Sequence, residues 1–529
     1  MVILNQASRI QSAAVLQETP DDDIRRGVPF SKAVAHFGRV FRVHPNTLDN
    51  AAKTALYDSS VPADFLDVFV SHSWSSPGYQ KYISLLLCEC GKPAIVAAVI
   101  SGLGVLLLQK FAGKLPFMVV EDAFDPIFEV YQESQPWEFL TSFIVGIFVL
   151  LFYPLFPCVS TKFFFIDCMV IHQTNVELKM RGIQSLGGFV TISKYLYVMW
   201  DADYFSRLWC VYELAVFKCI HKDQHNIKLL PLRQSVAILI LIPAFFGGFL
   251  LYIILFPIVA PWGIATFYFA AFLASVVVYT GAAITGYDFA DQLLKLDEQL
   301  SRFEVREAEC YAPEDRALIL EKISRMYEGG LEEFNLAVRG DLREDVLKAV
   351  RYTPRTLLPY STLMTGLIAS IGFMFFGISW FRDSNNSTLV CFTIYMITFC
   401  WAMLPLVAAL SLYKGEALYM KRGAKKGAAV ADHENLMQAL RRNSWRYLLI
   451  GVQGASIFIF IWTTLAFVLP LAVINSEEQL FLGIFPKSSA IFICLLTNIP
   501  AFPVAYWTFN RVAWDKPATA AGVMPNVGV

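Results

Sequence analysis

The sequence predicts a polytopic α-helical membrane protein of about eight spans that also carries a cytosolic α/β domain built on a parallel sheet. Three observations predict it. The chain has 529 residues, is 56% hydrophobic and has a mean hydropathy of +0.50, against roughly 45–50% apolar usage in soluble domains. Stretches 92–111, 138–159, 235–260, 263–285, 356–381, 388–413, 447–475 and 489–508 reach the about 20 apolar residues that a membrane helix needs. In the remainder, short runs of β-formers alternate with helix-like segments, the pattern of right-handed β-α-β units.

Residues 1–63 read as an N-terminal cytosolic tail. Met1 to Pro20 has neither the basic nor the apolar region of a secretory signal, so insertion is expected from an internal span. The tail begins polar, with Asp21-Asp22-Asp23 in a stretch expected to be disordered. Over 30–43, Phe30, Val34, Phe37 and Phe41 recur at helical spacing. Such a stripe either docks on a neighbouring domain or lies on a membrane surface.

Residues 64–91 and 160–232 together read as one split domain. Leu66 to Val70 is a buried strand that runs into Ser71-His72-Ser73-Trp74, and Tyr79 to Leu87 is helical. Residues 92–159 are an inserted transmembrane hairpin. Phe163-Phe164-Phe165-Ile166-Asp167 is the second strand, 175–193 is helix-like, and Tyr195 to Trp200 is the third strand. A helix follows from Trp209 to Ile220, then a short strand at Ile227–Pro231. An antiparallel helix pair returns to its starting side about one helix diameter away, roughly 10 Å, so a sheet can close around it.

A second hairpin is expected over 235–285, a cytosolic helical domain over 286–355, a four-span membrane domain over 356–508 and a cytosolic tail over 509–529. The distribution of charge sets the orientation. Loops 112–137, 261–262, 382–387 and 476–488 hold only Lys114, Arg382 and Lys487 of the 43 Lys and Arg, so both termini are expected in the cytosol. None of the ten cysteines falls on the far side, which suits reduced thiols, and no Cys/His cluster has zinc spacing. No metal site is expected. A net charge of −1 gives no field that would favour nucleic acid.

One acid stands out. Glu213 is the only charge in the apolar run Cys210 to Phe217, and an acid so placed either pairs or sits at a pocket rim. His72 follows the first strand, where ligands of parallel sheets bind; it reads either as a ligand contact or as a loop cap. Trp74 reads either as a platform for an adenine or nicotinamide ring or as packing. Asp167 ends the second strand, where it either caps the next turn or contacts substrate. Trp209 reads as core.

Asp67-Val68-Phe69-Val70-Ser71, Phe165-Ile166-Asp167, Ser193 to Trp200 and Tyr204-Phe205-Ser206-Arg207-Leu208-Trp209-Cys210-Val211-Tyr212-Glu213-Leu214 occur in an order that resembles the Toll/interleukin-1 receptor (TIR) family. The last segment is close to the plant-type pattern Y-A-x-S-x-W-C-L-x-E-L. Phe165-Ile166-Asp167-Cys168-Met169-Val170-Ile171-His172-Gln173 resembles a branch found in unicellular eukaryotes, and it departs from plant domains in the loop after the second strand. The resemblance implies a flavodoxin-like parallel sheet. It also implies one of two roles: cleavage of the nicotinamide–ribose bond of NAD by the acid matching Glu213, or signalling by self-association. Glu213 is then the expected catalytic residue, and Ser71, His72, Trp74 and Asp167 the expected substrate contacts. NAD would be a substrate, with no cofactor required; the expected partners are the lipid bilayer and further copies of the chain. The competing readings are a non-catalytic self-association scaffold and a transporter or channel regulated by its cytosolic domain.

Overall fold

The computed structural model describes residues 20–112, 137–156, 162–201, 203–220, 226–237, 265–310, 313–350 and 444–456, with the short strand pairs within 123–132 and 479–486 and a few isolated positions. The chain divides into two compact units. One comprises 1–90, 151–236 and 292–351; the other comprises 91–150, 237–291 and 352–529.

The first unit is built on six strands: β1 (Arg26–Pro29), β2 (Val61–Pro62), β3 (Leu66–His72), β4 (Phe163–Phe165), β5 (Ser193–Trp200) and β6 (Ile227–Pro231). Their order across the sheet is β2-β1-β4-β3-β5-β6. Strand β3 lies between β4 and β5 and runs parallel to both, with Val68 opposite Phe164 and Tyr195, and Phe69 opposite Phe165 and Leu196. Its side chains are buried on both faces apart from the half-buried Asp67, which is why it reads as an unbroken apolar run rather than an alternating one.

The sheet closes across the insertion. The Asp67 carboxylate accepts from the Phe163 backbone N–H at 2.9 Å. Glu89 takes an ion pair from Lys162 at 2.6 Å and a hydrogen bond from the Tyr197 hydroxyl, which itself accepts from Lys228 Nζ at 2.8 Å. These contacts tie the residues on either side of the inserted segment to one another and to the middle of the sheet.

Three expectations about this unit are corrected. The sheet is mixed, not parallel: β1 runs antiparallel to β4, pairing Val28 with Phe164, and β2 runs antiparallel to β1. Residues 21–29, expected to be disordered, are ordered, and 26–29 form β1 between β2 and β4. Their order is explained by Arg181, whose guanidinium holds Asp21 and Asp23 at 2.6 and 2.7 Å. The helix expected over 30–43 is also interrupted. His36, Phe37 and Gly38 take positive φ angles of 51°, 56° and 65°. Tyr82 packs so closely there that a Cβ on Gly38 would approach it to 2.7 Å. Phe30, Val34 and Phe41 are buried against the domain, while Phe37 is exposed.

The helices of this unit include α1 (Asn50–Asp58), α4 (Val176–Gln184), α5 (Leu186–Thr191), α6 (Leu208–Ile220) and α8 (Pro313–Met326). Helix α1 is capped by the Asp49 side chain on the Ala52 N–H, and α4 by Asn175 on the Leu178 N–H. Residues 300–350 pack beside α6, where Asp345 pairs with Lys218 and Glu309 with Arg207.

The eight-span fold class is corrected. Among the described residues a single helix is long and apolar enough to cross a membrane: residues 78–109 of α2 (Gly78–Ala112). Only 28% of its most apolar window is buried, unlike a core helix. Val96, Ile100, Leu103, Leu107 and Phe111 are exposed along one stripe, while Ala94, Ala98 and Leu106 are buried along another. The span expected over 138–159 is helix α3 (Trp137–Phe152), only 16 residues long because Tyr153-Pro154 ends it in a 3-10 turn. Gly146 of α3 packs against Ala98, close enough that a Cβ there would lie 3.2 Å away, a small-residue seam of the kind that lets membrane helices approach. The stretch 263–285 falls in α7 (Ala265–Ser301), which continues unbroken into the charged sequence Asp288–Glu298. Stretches 356–381, 388–413 and 489–508, nearly all of 235–260 and most of 447–475 lie outside the described residues.

Candidate active site

The carboxyl ends of β3, β4 and β5 come together at one edge of the sheet, the usual ligand end of a parallel array. Successive residues of a strand point to opposite faces, so β3 sends Ser71 to one side and His72 to the other. Each begins a separate polar group.

On the first side, Ser71 Oγ lies 2.5 Å from Glu213 Oε2 and 2.6 Å from the Tyr204 hydroxyl. Ser71 and Tyr204 are fully buried, and Glu213 keeps partial exposure. With Glu213 ionised, the Ser71 hydroxyl donates to the carboxylate and the phenol donates to Ser71. Among the described residues no basic side chain forms an ion pair with Glu213. Its place is set by the start of α6. Leu208 N donates to the Glu309 carbonyl at 2.9 Å, Glu309 N donates to the Ser206 carbonyl at 2.8 Å, and Arg207 binds the Glu309 carboxylate at 2.7 Å. A segment a hundred residues downstream therefore fixes the helix that carries the acid.

Burial pushes the Glu213 carboxyl up to about 8; the Ser71 hydrogen bond opposes the shift and the charge of Asp167 adds to it. The free protein thus holds a neutral acid at pH 7, ready to ionise beside a cationic ligand. A stability consequence follows. A group whose folded pKa is raised contributes stability that is fully present below its unfolded value, near 4.5, and lost as pH rises through about 8. Glu213→Gln keeps the shape and does not titrate. Its thermal stability is expected to gain on wild type between pH 5 and 8, with a slope of at most about 1.4 kcal/mol per pH unit. Parallel pH profiles for the two proteins in thermal unfolding would contradict the burial of this acid.

On the other side, Trp74 Nε1 donates to Asp167 Oδ2 at 2.9 Å, and Asp167 Oδ1 accepts from the Cys168 N–H at 2.7 Å. Asp167 thus caps the turn after β4 and holds the indole in place. The Trp74 ring is bordered by His72 at 4.9 Å, by His44 at 5.0 Å and by the Lys81 Nζ at 5.2 Å. His72 also meets Phe41 edge-on, and burial, with the charge of Lys81, lowers it to about 4, so it is a neutral imidazole at pH 7. Trp209 is half-buried and packs its ring on Tyr212.

The five residues expected from the sequence therefore separate into two sets. Ser71 joins Glu213; His72, Trp74 and Asp167 form a second cluster across β3. Three further residues belong here. Tyr204 completes the Ser71–Glu213 chain. Asp201 follows β5 as Asp167 follows β4, and burial raises its carboxyl. Lys81, on α2, is fully buried, and burial lowers it to about 8 against the pull of Asp167 and Asp201. The sequence signal for Lys81 is its place one turn before Leu85, on the buried face of the helix. Among the described residues no group of three or more His, Cys, Asp or Glu is arranged to hold a metal.

Comparison of the chain with protein-family models, with curated proteins and with solved structures finds no match.

Proposed function

We propose that the chain is a membrane-anchored, TIR-like signalling protein whose sheet unit cleaves NAD at the nicotinamide–ribose bond, with Glu213 as the catalytic acid residue. One observation carries the reading: a carboxyl without a basic partner is held by Ser71 at the carboxyl end of the central parallel strand. The reaction needs little else. The bond between ribose C1′ and the pyridinium nitrogen breaks, its electron pair stays on nicotinamide, and the leaving group departs neutral without a proton. The ribose left behind is oxocarbenium-like, and an ionised Glu213 stabilises that charge or holds the ribose hydroxyls. Water then adds to C1′ and releases a proton. The substrate's positive ring also favours the ionised form of an acid that burial otherwise keeps neutral.

The anchor in this reading is the part of α2 beyond Cys90, after which the chain returns to the sheet unit through α3. The exposed apolar stripe of α2 supports it, as does the direct pairing of β3 with β4 on either side of the insertion. A second reading, a non-catalytic self-association scaffold, draws on the same hydrogen bond: a carboxyl satisfied by Ser71 can serve packing only.

The test is nicotinamide release from NAD by the full chain, reconstituted in vesicles at high density so that copies meet. Release well above that of empty vesicles is expected. No release at any density would leave the scaffold reading.

A further inference from the structure

Lys81 is the group at this site that the Glu213 chemistry does not use. Its side chain is completely buried, and Nζ has no hydrogen-bond partner. A buried ammonium with none of its three donors satisfied is costly, and nothing else in the fold requires it: the positions around it on α2, Tyr82, Leu85 and Leu86, are ordinary core. Two carboxylates act on it without forming an ion pair. Asp167 and Asp201 both favour its charged form, while the Asp167 oxygens are already engaged by Trp74 Nε1 and the Cys168 N–H. The amine lies against the Trp74 ring but makes no hydrogen bond. The Nε2 of His72 beside it is likewise unbonded.

Lys81 Nζ lies 5.2 Å from the centre of the Trp74 ring, which Asp167 holds, and Trp74 follows by three residues the Ser71 that holds Glu213. A ligand lying over the strand ends with its ribose at Glu213 would bring its next group to the far side of β3. In a nicotinamide dinucleotide the group attached to that ribose is a diphosphate.

We propose that Lys81 is the diphosphate-binding residue of this site, its ammonium donating to phosphoryl oxygens. The Ser73–Pro77 loop, whose Trp74 ring lies against Lys81, is exposed at Ser75 and Pro77. The assignment of a dinucleotide rests on the NAD reading above; the assignment of an oxyanion does not.

The experiment measures binding of inorganic pyrophosphate, ADP-ribose and adenosine to the detergent-solubilised full chain, for wild type, Lys81→Met and Glu213→Gln. Pyrophosphate and ADP-ribose are expected to bind wild type. K81M is expected to weaken both by about tenfold or more, the scale of a charge-assisted hydrogen bond. E213Q should keep its pyrophosphate affinity, and adenosine should not distinguish K81M from wild type. K81M should also unfold at the same temperature as wild type or higher, because it removes an unsatisfied buried charge. Wild type that binds no pyrophosphate, K81M that binds it unchanged, or K81M that is clearly less stable would each overturn the proposal. Lys81-dependent pyrophosphate binding in a protein that never releases nicotinamide would remove the NAD reading and leave this one standing.

Discussion

Glu213→Ala is expected to abolish nicotinamide release while leaving the sheet unit folded. The scale is that of removing one preorganised electrostatic group, roughly 10²–10³ in rate or about 2.7–4 kcal/mol. Glu213→Gln is the sharper variant. It keeps the hydrogen bond with Ser71 and loses only the charge, so near-complete inactivity in Gln assigns the effect to charge. The wild-type rate should also climb with pH as the acid, raised to about 8 by burial, ionises. Full activity in the Gln variant, measured in the same dense vesicles, would show that Glu213 is not the catalytic group.

Phe69→Ala is expected to have the largest effect on stability. Phe69 is fully buried in the middle of β3 and stacks on Phe165 with ring centroids 4.3 Å apart. Phe165 in turn meets Phe189 at 5.0 Å, so the ring joins β3, β4 and α5. Truncation leaves a cavity between packed elements and should cost about 3–5 kcal/mol, much of the 5–15 kcal/mol that typically holds a domain together. Hydrogen exchange would read this as lost protection in β3, β4 and β5 together. Loss confined to β4 would mean that the two sides of the insertion do not fold as one sheet.

These two residues also differ in how visible they were. Phe69 sits in an uninterrupted run of β-formers, the mark of a strand buried on both faces, and β4 was legible in the same way. Glu213 was conspicuous because an isolated acid in an apolar helix is anomalous by itself. Apolar length was a poorer guide. The stretch 138–159 counts as a span by hydropathy, yet Pro154 ends the helix at 16 residues; 263–285 looks bounded, yet its helix runs on into charged sequence. Hydropathy averages over a window, whereas helix length depends on single residues that break or continue the hydrogen-bond ladder.

The sequence by itself therefore determined the local conformations: which segments extend in strands, where α6 begins, and that one acid in it lacks an obvious partner. Only the tertiary structure decided which groups meet. Ser71 and Glu213 are 142 residues apart in sequence, and the segment leading into β1 is held by Arg181, more than 150 residues away, which clamps Asp21 and Asp23. Lys81 stands one turn before Leu85 in sequence, but only the packing of α2 turned that face inward. Backbone preference is set by near neighbours along the chain, but burial, ion pairing and the state of a titratable group are set by neighbours in space, and those exist only once the sheet has closed.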